Sequence, residues 1–168
     1  MTVSIPDSVL AEGNVKVVFV PTLATVSAVT LNAGVDISCY LMADWDGPTA
    51  AQNTGESRRF CSRESFQRLG RTTWTIAPLV YTYGPQDDAG DINAAREALA
   101  EGTEGFLVVG FGIEPSADFA ATDIVDIFPV EAGVQVKNPR GADEFAPLTI
   151  TQTLAVTNLV RQDVAVVA

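Results

Sequence analysis

The sequence predicts a mainly β fold of the α+β class, an antiparallel β-sandwich or barrel with one short flanking α-helix. Three observations lead there. Short runs rich in β-branched and aromatic residues recur along the chain, separated by Gly, Pro, Asn and Asp turn signals. Only one stretch carries a convincing apolar helical period, through Ile92, Ala95 and Leu99. No internal repeat, low-complexity segment or linker divides the 168 residues, so a single domain over 1–168 is expected, with residues 1–13 as an N-terminal arm.

Taken in order, residues 14–20 read as a strand ended by Pro21, and residues 26–31 as a weaker strand. Asn32-Ala33-Gly34 reads as a turn, followed by a strand over 35–42 with Val35, Ile37, Cys39 and Leu41 on one face. Residues 43–57 are small and polar with little to pack, and are expected to form a long loop. Strands follow at 58–62 and 71–83, the second broken near Pro78. The helix comes next, capped by Asp91 and stopped by Gly102; at about ten residues it must lie against a sheet to persist. Phe106-Leu107-Val108-Val109 suits a central strand. A pair at 122–130 and 133–137 with a turn at Glu131-Ala132-Gly133, then strands at 145–157 and 159–167, complete the chain.

Composition narrows the function. The 47% apolar content supports a packed core, and no apolar run reaches the roughly 18 residues of a membrane helix. The N-terminus has no basic region followed by an apolar one, so no signal peptide is expected and the protein reads as soluble and made in a cytoplasm. Histidine is absent, which removes Ser-His-Asp and Cys-His catalysis and most zinc sites. Cys39 and Cys61 are read as two buried free thiols. Net charge is −11, unsuited to binding nucleic acid by neutralising phosphates. Charge is also segregated. Between Asp87 and Glu131 lie eleven acids and one base, Arg96, whereas residues 56–71 hold Arg58, Arg59, Arg63, Arg68 and Arg71 against Glu56 and Glu64.

No motif carries chemistry. Asp87-Asp88-Ala89-Gly90-Asp91 has the spacing of a magnesium-diphosphate motif, but acids ahead of a helix N-terminus explain it without a metal. Asp44-Trp45-Asp46-Gly47 begins like a calcium loop and then places Pro48 and Gly55 where oxygen ligands are needed. Gly110-Phe111-Gly112 meets Pro115 at the third glycine of a dinucleotide fingerprint. The aromatic residues read as core, except Trp45, which sits in a polar stretch and is a candidate anchor for a neighbouring subunit. The arginine segment has two readings, solvated edge charges or an interface for head-to-tail assembly.

Several stretches together resemble a known family: Asn14-Val15-Lys16-Val17; Asp36-Ile37-Ser38-Cys39-Tyr40-Leu41 leading into a polar segment; Arg68-Leu69-Gly70-Arg71-Thr72-Thr73-Trp74; Leu79-Val80-Tyr81-Thr82-Tyr83-Gly84-Pro85-Gln86; and Glu101-Gly102-Thr103-Glu104-Gly105-Phe106-Leu107-Val108. In order and spacing the chain resembles the major tail (tail-tube) proteins of long-tailed bacteriophages, the siphophages, particularly those infecting actinobacteria. The resemblance implies a phage tail-tube fold and a non-enzymatic virion protein without cofactor or metal. Such proteins form hexameric rings stacked into a tube through which DNA is ejected without specific binding. It further implies assembly in the bacterial host cytoplasm, no membrane association, and partners such as the tape measure and terminator proteins. On that reading Trp45, Arg58, Arg59, Arg63, Arg68 and Arg71 are expected at a subunit interface. Asp87, Asp88, Glu114, Asp118, Asp123, Asp126 and Glu131 are expected to line the lumen. The alternatives are a tail terminator, a head–tail connector, a capsid decoration protein or a carbohydrate-binding β-sandwich.

Overall fold

The computed structural model describes residues 10–61, 63–86, 90–139 and 145–168. Strand β1 (Val15–Val20) is buried over all but its first residue, and its successive side chains enter two different cores. Val17 and Phe19 pack with Leu107, Val109, Phe128 and Val130, while Val18 and Val20 pack with Val108, Ile127 and Phe119. Both faces of the central sheet are therefore dry, which is why Phe106–Val109 and the middle of the next strand read as unbroken apolar runs rather than alternating ones.

The sheet runs in the order β2-β1-β6-β7-β8-β5, with β9 also paired to β7. Its members are β2 (Val35–Asp36), β5 (Leu79–Thr82), β6 (Glu104–Phe111), β7 (Ile124–Asn138), β8 (Thr149–Val156) and β9 (Arg161–Ala165), every pairing antiparallel. The sheet curls into a half-barrel, so the mainly β prediction holds. A separate two-stranded sheet is formed by β3 (Pro48–Ser57) and β4 (Phe66–Ile76).

Six expectations are corrected. Residues 26–31 contain helix α1 (Ala28–Asn32), because the Ser27 hydroxyl caps it by accepting the Thr30 N–H at 3.2 Å and outweighs local β-branching. The strand expected over 35–42 stops at Asp36. That carboxylate accepts from the Ser38 N–H at 2.9 Å and the Ser38 hydroxyl at 2.6 Å, turning the chain into a 3₁₀ turn at Ser38–Tyr40. The long loop at 43–57 is mostly strand β3, and of the strand expected at 58–62 the described residues 58–61 belong to the hairpin apex, Ser62 lying outside the described residues. Glu131-Ala132-Gly133 is a bulge within a single 15-residue β7, not a turn. A Cβ on Gly133 would lie 2.8 Å from the Thr153 carbonyl oxygen, so the bend requires glycine. Both cysteines are free and exposed rather than buried.

Helix α2 (Gly90–Ala98) is where the sequence placed it, although it starts ahead of Asp91. Ala95 and Leu99 are buried against the sheet and Gly102, at φ +77°, turns the chain back. Its C-terminal carbonyls are met by two glutamine amides. Gln135 donates to Arg96 O (2.8 Å) and Leu99 O (3.0 Å). The fully buried Gln152 donates to Leu99 O and Gly133 O at 2.7 Å each, and accepts the Tyr81 hydroxyl at 2.9 Å.

Gln152→Leu keeps the volume but strands the Gly133 carbonyl and takes one partner each from Leu99 O and the Tyr81 hydroxyl. It is expected to lower unfolding free energy by about 2–4 kcal/mol in urea titrations. Burial pushes the Tyr81 phenol up to about 12 from its ordinary 10.0. The folded state therefore holds this proton more tightly, so the stabilisation is complete below pH 10 and is lost as pH rises through 12. Relative to Tyr81→Phe, wild-type stability should fall by up to roughly 3 kcal/mol more across that window.

Candidate functional site

The β3–β4 hairpin is the most conspicuous surface feature. From Thr49 to Glu56 and from Phe66 to Thr73 every residue is exposed, so this arm stands off the body on both faces. The ten residues of β3 span about 34 Å. An isolated two-stranded ribbon is marginal in water and needs a third element to be stable on its own. The root is secured to the body. The Trp45 indole N–H donates to Ala77 O at 3.1 Å, Ala77 N–H donates to Gly47 O at 3.1 Å, and Trp74 packs edge-on against Phe128 with ring centroids 5.8 Å apart.

Pairing assigns the arm two faces, since directly opposed residues point the same way. Thr49, Ala51, Gly55 and Ser57 oppose Thr75, Thr73, Arg68 and Phe66, and Arg71, two residues before Thr73, shares their face. Ala50, Gln52, Thr54 and Glu56 oppose Trp74, Thr72, Leu69 and Gln67 on the other, which meets the body at its root. The shift between Gln52 and Thr54 places an extra residue on β4 near Gly70 and resets its alternation. Arg58, Arg59 and Arg63 lie in the apex with the fully exposed Phe60. Arg58 pairs with Glu56 at 3.2 Å, an exposed contact that contributes little. Five of the six predicted interface residues thus belong to one projecting element. The sixth, Trp45, is half-buried and braces the arm's root.

Of the predicted lumen acids, Asp126 and Glu131 lie on opposite faces of one strand. Asp87 and Asp88 lie outside the described residues. Glu114 and Asp118 are exposed in the connection after β6. The Asp123 carboxylate accepts the Ala120 N–H at 2.8 Å, and that of Asp126 accepts the Asp163 N–H at 2.9 Å. Asp126 and Glu131 are five positions apart on an unshifted stretch of β7 and so point to opposite faces. Glu131 instead stands directly across from Glu104 on β6. Sequence reading missed this like-charge pair because only the strand register brings the two together.

Beside the arm's root the body opens into a groove of about 800 Å3, whose walls include Val15, Leu41, Trp45 and Phe111, with Glu12 and Asp46 among the polar lining. Among the described residues no group of His, Cys, Asp or Glu is placed to hold a metal, and no helix is long and apolar enough to cross a membrane. Lys16, nearly buried, is consumed structurally: its ammonium pairs with Asp36 at 2.9 Å and donates to Pro115 O and Ala117 O.

The half-barrel thus carries a basic arm that is exposed on both faces. Over residues 2–168 the chain matches the family model of phage tail tube proteins, and it belongs to that family. No curated protein matches it. The chain is therefore a structural component of a bacteriophage tail, from a family that is not enzymatic.

Limited trypsin digestion of the free protein should cut first after Arg58, Arg59 or Arg63, leaving the half-barrel intact by mass spectrometry. First cuts at Lys16, Arg96 or Lys137 would contradict the exposure of the arm.

Proposed function

We propose that copies of this chain close into hexameric rings and stack into the tail tube, the conduit through which the genome is ejected. The observation that supports this most is the arm: a two-stranded ribbon, exposed on both faces and carrying five arginines, on a chain of net charge −11. A ribbon of that kind gains most of its stability from a surface it is not covalently part of, and an acidic neighbour provides one. Strand edges left open by the half-barrel can be completed by adjacent subunits, which would close the sheet around a lumen.

Negative charge suits the lumen wall. A surface that repels phosphate leaves DNA hydrated and free to slide, whereas lysines and arginines would hold it by releasing counterions. Since the acids divide between two faces of β7, only one group can line the channel. The tape measure and terminator proteins are the further partners, and the assembly site is the host cytoplasm.

Negative-stain electron microscopy of the purified protein across concentration and salt tests the reading. Stacked rings or tubes are expected. Single rings that never stack would favour a terminator, and monomers under every condition would count against self-assembly. Arg59→Glu with Arg63→Glu should raise the concentration needed for assembly at least tenfold and invert its salt dependence. Unchanged assembly would remove the arm's charge from the account.

A further inference from the structure

We propose that the groove beside the arm's root receives the apex of the arm from a second copy, an inference that rests on the self-assembly reading above. The groove is lined largely by apolar residues, Val15, Leu41, Trp45 and Phe111 among them, together with the acids Glu12 and Asp46. Phe111 is exposed despite being a large aromatic residue at the end of a core strand. The apex has the complementary chemistry. Phe60 is fully exposed, with Arg58 and Arg59 immediately before it and Arg63 three residues on. An aromatic ring flanked by guanidinium groups suits a largely apolar pocket that also holds acids. The ring leaves water, and the guanidinium groups beside it meet Glu12 and Asp46.

Charge singles out this segment. Half of the chain's 10 basic residues lie within residues 58–71, so most other surface of a second copy would be repelled by the two acids. A copy cannot fill its own groove, because the strands of the arm hold apex and root about 34 Å apart. The contact is therefore between copies and heterologous: every subunit gives an apex and receives one, so the contact repeats without a dead end.

The test places the photocrosslinker p-benzoylphenylalanine at Phe60, irradiates assembled protein and maps the cross-linked peptides by mass spectrometry. Cross-links between copies to residues 11–17 or 41–48 are expected, at least tenfold above those of unassembled protein. Asp46→Arg should cut their yield at least fivefold, and adding Arg59→Asp on the same chain should restore it. Circular dichroism confirms that each variant is folded. Phe60→Ala removes only an exposed ring and should raise the assembly concentration at least tenfold. Cross-links elsewhere in intact tubes, or Phe60→Ala assembling like the wild type, overturn the groove assignment while leaving the tube reading standing. If the wild type forms no rings or tubes, the tube reading fails and the groove assignment falls with it.

Discussion

Val18 and Phe19 are neighbours on one strand, face opposite ways, and neither touches water. The same holds along β6 and the first half of β7, so the three central strands must be covered on both sides before the sheet can exist. On one side α2 and the root of the arm do this. On the other, α1, Phe119 and Val166 do. Each cover is fastened by polar side chains that reach its backbone. Lys16 holds the 115–117 segment, Asn32 clamps Phe119 through both its N–H and its carbonyl, and Gln135 and Gln152 grip the end of α2. The apolar strands set the demand for cover, and these few amides and one ammonium decide where the cover sits.

Much of the body was legible in the residues. The runs at β1 and β6 are too apolar and too β-branched to be anything but central strands, and the Ile92–Ala95–Leu99 period led to α2. What escaped was decided by single hydrogen bonds or by pairing. One serine hydroxyl converts 28–32 to helix, and one aspartate ends β2, although both stretches favour strands by composition. The arm was misread for a different reason. Thr, Ala, Gln, Asn and Gly with nothing to bury look like a loop, because a strand exposed on both faces has no hydrophobic alternation to show.

The site was legible in part by the same logic. Segregation of arginines is visible in one dimension, and the structure gathers those arginines onto one element because they are contiguous in the chain. The acids span more than forty positions and several strands. Their faces depend on register, and register is invisible until the strands pair. Glu104 and Glu131 meet only because β6 and β7 are aligned as they are.

That alignment also sets an order in time. Val15 pairs with Phe111, and the sheet beyond β6 is built from residues later still. While the chain is being synthesised, β1 emerges early and has only the two residues of β2 to pair with until about two-thirds of the chain has been made. The arm, whose strands are adjacent in sequence, can zip long before. A subunit made in bulk therefore begins as an unfinished body whose arm still lacks the contact of Trp74 with Phe128 that secures its root. Keeping nascent copies from meeting through β1 before β6 arrives falls to the cell rather than to the fold.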